Sequence, residues 1–466
     1  MKGKGITRLL GSGVLGLGVV LTAQAGPERP DLKQALDQRI LGEPSRSCVL
    51  AARVGVDAAS GLQCADPEDE RGELLDAESR FEIGSISKAM QGIVLARLVE
   101  RGKLDLDDRL ADHLPDATRV PEYEEQPIRL RHLLTHSSGL PRLPEDFSPE
   151  DPQNPYADFS AEDLLDSLAE VELENAPGEA FEYSNFASML LSLALSHHAD
   201  NDFDALLQTE LLEPLGMEDT GVGGEVVQGH DSLGRAHTDW DFDPQLAGVG
   251  GVRSSLADLE RLAEAMLAPP EDELGSALER SGEVLAEIDG QRLGWGWLHV
   301  ETEAGEMLYH GGATYGAIAE MVIDREAGTA SVVLSDTFLA QQNLQDLALH
   351  LLDASVALRK PEGRADEEQV FEGELSVLAG DYALYDGDEP FMDGMILAVF
   401  EENGELMIQA RVGEQVQDAA AVEYVGDDRF VLPAMDIEME FIRDADGKVE
   451  ELHFEQGPYQ LRGQPK

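Results

Sequence analysis

Apolar positions recur at helical spacing most regularly at Ile86, Ala89, Met90, Ile93, Val94 and Leu98, and Gly102 stands where a C-terminal glycine cap belongs. The pattern predicts a helix that starts at Ser85. Ahead of it, from Ser47 to about Gln63, β-branched residues flank a small-residue turn near Asp57 to Gly61, which predicts two strands. The stretch from about 128 to 290 reads as mostly helical with long polar loops. Within it, Ser160 with Asp163 and Ser255 with Asp258 have capping-box spacing before the apolar runs Leu164 to Val171 and Leu259 to Leu267. Arg292 to Glu301, Tyr315 to Asp324 and Ala330 to Ser335 then predict strands, and Leu339 to Leu358 a long closing helix. A hairpin early, helices in the middle and strands late imply one sheet whose strands come from both ends of a domain.

Both ends of the chain differ from this body. Lys2, Lys4 and Arg8 precede an apolar, glycine-spaced run from Leu9 to Thr22, and Ala23-Gln24-Ala25 is a small-residue cleavage site, so residues 1–25 predict a secretory signal. The run is too short to span a bilayer, so no stable membrane anchor is expected after processing, and the protein should be periplasmic or secreted. Residues 26–360 form the main domain in this reading. Pro361 to Glu368 is a charged linker, and residues 369–466 carry short strands with hairpin turns, such as Asn403-Gly404, which predict a small barrel-like β-domain.

Charge narrows the choice of partner. The chain holds 93 acidic against 34 basic residues, a formal charge of −59 that becomes −62 when the leader takes Lys2, Lys4 and Arg8 away. Nucleic acid is excluded on that balance. The acid is spread through every region, as in proteins that are stable where salt screens it, and implies a salt-loving source. Cys48 and Cys64 are the two cysteines. In an exported protein a bridge between them can persist, but the spacing alone leaves bridged and free forms both open.

Three strings carry chemistry: Ser85-Ile86-Ser87-Lys88, Tyr183-Ser184-Asn185 and His310-Gly311-Gly312. The first sets a hydroxyl and an amine one helical turn apart, and only eight lysines occur in the chain. A lysine in the first turn of a helix opposes the macrodipole at a cost of about 0.3–1 kcal/mol, so its placement calls for a function. Burial and positive potential lower a lysine pKa, and a neutral amine there can act as general base toward Ser85. Tyr183 is the second proton-transfer group, with a pKa expected to fall beside a Lys88 cation. Asn185 reads equally as a helix cap. His132 and His136 have metal-ligand spacing on a predicted helix but lack the glutamate of a zinc-protease motif, so no metal is implied. His197 and His198 read as a solvated helix end, and Trp295 and Trp297 as strand packing or as cleft lining.

The segment Phe81-Glu82-Ile83-Gly84-Ser85-Ile86-Ser87-Lys88 resembles the nucleophile segment of class C β-lactamases and their relatives, the penicillin-binding proteins, D-aminopeptidases and family VIII esterases. Ile128 to Pro141, Pro177 to Asn185, Glu213 to Thr220 and Gly248 to Ser254 agree with it, so that the resemblance covers roughly residues 45–358. It implies an α+β fold, an antiparallel sheet flanked by helices beside a helical subdomain, with the small all-β domain appended. It also implies that Ser85 attacks the acyl carbon, that Lys88 and Tyr183 share proton transfer, and that Asn185 hydrogen-bonds Lys88 and the substrate. The oxyanion hole would map to the amides of Ser85 and Ala313, and His310, Gly311 and Gly312 would line the substrate strand. No cofactor is implied.

His310 departs from the family pattern, where many members have lysine. A mostly neutral histidine attracts a substrate carboxylate less, so a peptidase or esterase acting on a D-amino-acid peptide or ester is preferred over a dedicated β-lactamase. A non-catalytic extracytoplasmic binding protein that retains the fold is the rival reading. The substrate expected is a small molecule or short peptide, and nothing in the sequence sets the oligomeric state.

Overall fold

The structure, a computed structural model, describes residues 29–231, 234–338 and 343–361 and most of 371–466. The leader, most of the linker, the first residues of the closing helix and Asn403 lie outside the described residues. The central sheet has eight antiparallel strands: β1 (Cys48–Gly55), β2 (Ala59–Cys64), β3 (Ala286–Ile288), β4 (Gln291–Leu293), β5 (Leu298–Thr302), β6 (Gly305–Ala313), β7 (Ile318–Asp324) and β8 (Thr329–Ser335). Their order across the sheet is 2-1-8-7-6-5-4-3, so the early hairpin joins the late strands at β1 and β8.

Alternation along the central strands feeds two cores. Val49 and Ala51 of β1, with Ile318, Val322 and Val333, pack beneath Leu32, Leu36 and Ile40 of α1 (Leu32–Ile40) and beneath Leu347 and Leu351. The alternate residues Leu50, Ala52, Val54, Met321 and Val332 face α2 (Ile86–Glu100), α3 (Asn185–Ala199) and α4 (Leu256–Leu267). Period-2 alternation with apolar residues on both faces is what a sheet covered on both sides requires. Helix α2 is buried from Ile86 to Ala96, as expected of a helix that is apolar nearly all round. Its end is closed by Gly102 at φ +62°, with the Lys103 amide donating to the Leu98 carbonyl.

Three expectations need correction. Arg292 to Glu301 is not one strand: β4 ends at Leu293 and β5 begins at Leu298, with Gly294 to Trp297 forming a turn between them. Glycine is required there because a Cβ on Gly296 would collide with the Lys88 carbonyl and lie 3.1 Å from the Ala89 Cα. Trp295 and Trp297 are both buried in the core rather than set in a strand. The closing helix, α5 (Gln345–His350), is far shorter than Leu339 to Leu358. Helix α1 lies where no element was expected, although Leu32, Leu36 and Ile40 recur every fourth residue.

The C-terminal strands form their own sheet. From Gly380–Asp386 to Tyr459–Pro465 the pairing is antiparallel throughout, and the first of these strands also pairs with the last, closing a barrel around a separate apolar core that includes Tyr382, Phe430, Phe441 and Phe454. Cys48 and Cys64 sit opposite each other on β1 and β2 and are joined by a disulfide. No helix among the described residues is long and apolar enough to cross a membrane.

Candidate active site

Ser85 occupies the N-cap of α2, yet its side chain does not cap the helix. Its hydroxyl is instead the acceptor for Lys88, whose Nζ donates to Ser85 Oγ at 2.8 Å and to the Val249 carbonyl at 2.6 Å. Residues three apart share a helix face, which brings the amine back over the N-terminal turn. Lys88 is 3% exposed, and burial, aided by the charge of Arg142, holds its pKa well below the ordinary lysine value. Burial therefore favours the uncharged amine that a general base toward Ser85 requires.

Strand β6 supplies the opposite wall. It pairs with β5 from Gly305 to Tyr309 and with β7 as far as Ala313, so residues 310–313 have no strand partner on the β5 side among the described residues. The turn at Gly294 to Trp297 is what leaves that edge open. Onto it fits the nucleophile segment: a Cβ on Gly312 would collide with the Ile83 carbonyl and lie 2.7 Å from the Ser85 nitrogen. Gly84 adopts φ +47°, and a Cβ there would lie 2.6 Å from the Ala313 nitrogen. The amides of Ser85 and Ala313 thus border one small space. Glu82 ties the two chains together, accepting from Thr314 Oγ1 at 2.6 Å and from the Trp240 amide at 2.6 Å.

Tyr183 is set by its neighbours on the chain. Ser184, not Asn185, is the N-cap of α3, and accepts from the Ala187 amide at 2.9 Å. The Ser184 hydroxyl donates to the Pro141 carbonyl at 2.7 Å, and its amide donates to His136 Nδ1 at 3.2 Å. His136 has left the predicted helix, which ends at Leu134, and takes φ +51°. Its ring lies 4.4 Å from that of Tyr183, and burial, then the neighbouring Lys88, holds its pKa well below normal. Among the described residues no group of side chains could hold a metal ion. His197 and His198 lie exposed in the last turn of α3.

The expected effect on Tyr183 is reversed. Burial pushes its pKa up to about 12, opposed by a hydrogen bond with Ser85 and by the charge of Arg142. Burial outweighs both of these influences. Asn185 does not reach Lys88 either: its Nδ2 donates to the Tyr156 hydroxyl at 2.9 Å, and its buried Oδ1 has no partner among the described residues.

Ser85, Tyr183 and residues 309–313 line one cleft of about 510 Å³, together with Arg142, Glu320, Phe338 and Asn343. His310 is buried, and its pKa falls to about 4 through burial and the nearby Lys88. Its Nδ1 lies 2.7 Å from the Gly311 carbonyl, which can only accept, so the proton sits on Nδ1. Glu320 faces Gly311 across the β6–β7 pair, accepts from the Tyr309 hydroxyl at 2.9 Å, and has its pKa raised to about 8, chiefly by burial. Glu320, Arg142 and the Val249 carbonyl were not among the residues singled out in the sequence, and His136 was weighed there only for its metal-ligand spacing.

The geometry has known counterparts. The family model described as Beta-lactamase matches residues 50–355. The D-alanyl-D-alanine-carboxypeptidase/endopeptidase AmpH of Escherichia coli K12 is 26% identical over 288 residues, 58% of this chain and 74% of that protein. Protein flp of Staphylococcus aureus is 25% identical over 285 residues, 59% of this chain and 55% of that protein. Among solved structures, a beta-lactamase/D-alanine carboxypeptidase from Yersinia pestis complexed with citrate superposes with a TM-score of 0.56 at 22% identity, covering 70% of this chain and 99% of that one. One from Pseudomonas syringae gives 0.57 at 19%, covering 69% and 96%.

Proposed function

The chain belongs to the beta-lactamase family of serine hydrolases, and from that premise we propose that it is an exported hydrolase that cleaves an amide or ester through an acyl-enzyme on Ser85. The observation that carries the proposal is the 2.8 Å contact between Ser85 Oγ and a buried Lys88 Nζ with a depressed pKa. In this reading Lys88 accepts the Ser85 proton as Oγ attacks the acyl carbon. The oxyanion forms against the amides of Ser85 and Ala313, each worth about 3–4 kcal/mol to the transition state. Tyr183, protonated because its pKa is about 12, gives its proton to the leaving atom and recovers one from Lys88. Water then enters by the reverse route, and the ester is hydrolysed. The unpartnered Asn185 Oδ1 is suited to accept a substrate N–H.

A peptidase or esterase is favoured over a dedicated β-lactamase because His310, with a pKa of about 4, stands on β6 where many members of the family have a lysine. The AmpH relative, a carboxypeptidase/endopeptidase by name, supports the peptidase side. Residues 26–360 are taken as the catalytic unit and 369–466 as an appended β-domain. Export through the leader at 1–25 is supported by the Cys48–Cys64 disulfide, which persists in an oxidising compartment.

Intact mass after exposure to a fluorophosphonate, and separately to a penicillin, tests the proposal in high salt. A single adduct that Ser85→Ala abolishes is expected. Absence of any adduct on folded protein favours the binding-protein reading instead.

A further inference from the structure

Arg142 is an exposed cation on the wall of the cleft that holds Ser85. Among the described residues its guanidinium has no carboxylate partner, and it lies 5.5 Å from the centre of the Tyr183 ring. That is unexpected in a chain with 93 acidic residues, where Arg97 and Arg101 share Glu210 and Arg253 approaches both Glu82 and Asp241. The backbone beneath Arg142 is fixed. Its carbonyl accepts from the amides of Asn185 at 2.9 Å and Phe186 at 3.2 Å, and the preceding Pro141 carbonyl accepts from Ser184. A loop clamped onto the start of α3 therefore anchors the backbone of Arg142 beside Tyr183.

The remaining ionisable groups of the cleft wall do not cancel it. His310 is uncharged at neutral pH, and Glu320, with a pKa near 8, is mostly protonated there. The charge of Arg142 is felt by Lys88, His136, Tyr156 and Tyr183. A protein with a strongly negative surface thus keeps a locally positive cleft. A planar guanidinium with free donors is the side chain best matched to a carboxylate, which it can bind through two parallel hydrogen bonds.

We propose that Arg142 is a specificity-determining residue that binds a carboxylate carried by the leaving group of the substrate, a task that the uncharged His310 on β6 leaves unfilled. The leaving-group side follows from position. The acyl oxygen is placed at the Ser85 and Ala313 amides, whereas Arg142 lies over Tyr183, which protonates the departing atom. The inference rests on the acyl-enzyme reading above, and concerns only where the substrate's negative charge is held.

Two matched esters test it: the acetyl ester of 4-hydroxybenzoate and that of 4-hydroxybenzamide, compared at one fixed salt concentration in wild type, Arg142→Gln and Arg142→Lys. The quantity read is the ratio of their kcat/KM values, because any change in Lys88 basicity caused by the substitution affects both esters alike. Loss of a charge-assisted contact lowers that ratio about 10-fold to 100-fold in Arg142→Gln, with Arg142→Lys between the two. Fluorophosphonate labelling of Ser85 checks that each variant is folded. An unchanged ratio in Arg142→Gln, with both esters still turned over, overturns the role of Arg142 and leaves the hydrolase reading intact. If wild type turns over neither ester and takes up no fluorophosphonate, the hydrolase reading fails and this inference with it.

Discussion

Gly312 and Ser85 approach so closely that a methyl group on the glycine would lie 2.7 Å from the serine nitrogen. The open edge of β6 and the nucleophile turn are therefore in backbone contact, with no side chain between them. Gly312→Ala must push the strand away from Ser85 and Ala313 away from the oxyanion. We expect kcat to fall about 100-fold to 1,000-fold, the usual result of losing one oxyanion donor, with about 1–3 kcal/mol of overpacking strain. Steady-state kinetics with thermal unfolding checks this. Wild-type kcat in a folded Gly312→Ala would mean that the two amides do not act together.

Lys88 is held in a state that benefits chemistry at the expense of stability. Burial lowers its folded pKa below the unfolded value of 10.5, so between the two values the unfolded chain binds more protons and stability rises with pH. Lys88→Met removes that slope along with the base. The variant is expected to be inactive, and its Tm relative to wild type should be most favourable at low pH and decline as pH rises toward 10. Parallel Tm profiles for the two proteins would show that Lys88 is not depressed. Kinetically, the acidic limb of kcat/KM belongs to Lys88, and in Arg142→Gln it should move to higher pH, because the arginine charge helps to lower that pKa.

Much of the site was legible because its chemistry depends on local spacing. Ser85 and Lys88 are three residues apart on one helix, and no tertiary information is needed to bring them together. That one sheet takes strands from both ends of the domain was legible in the apolar runs there, but the order of its strands was not. Features that depend on through-space contact were not legible. Gly294 and Gly296 were turn signals within an apparent strand, but what they accomplish, opening the edge at 310–313, appears only once β5 is in register with β6. The cap of α3 fell one residue early, at Ser184, because Asn185 is an equally good capping type. The pKa of Tyr183 was expected in the wrong direction because its sign is set by burial, which spacing along the chain does not show. Arg142 carried no signal in the sequence: an arginine attracts notice only when its lack of a partner is visible.

Tyr183 should behave as an acid throughout the working pH range. With a pKa of about 12 it remains protonated well above pH 9, so its ionisation should cause no loss of activity below about pH 11. Tyr183→Phe removes the proton delivered to the leaving atom, an effect of about 100-fold to 10,000-fold where that atom is a poor leaving group. Amide and alkyl ester substrates should suffer most, and nitrophenyl esters, whose leaving group needs no proton, least. Equal losses across a series graded by leaving-group pKa would rule out Tyr183 as the proton donor.

Surface charge makes the last prediction. With 93 acidic and 34 basic residues, the folded chain repels itself at any separation shorter than the screening length, which is about 10 Å at 0.1 M salt and about 3 Å at 1 M. Unfolding relieves that repulsion, so low salt favours the unfolded state. The Tm should rise as KCl is increased from about 0.1 M to above 1 M, where screening is nearly complete. Chloride is chosen because it adds little of the general stabilisation that sulfate brings. Mild acidification from pH 7 to 5 protonates part of the same carboxylate population and should raise Tm in dilute buffer but have little effect at high KCl. A Tm that is flat or falls with KCl would show that the acidic excess is not a salt adaptation of this fold.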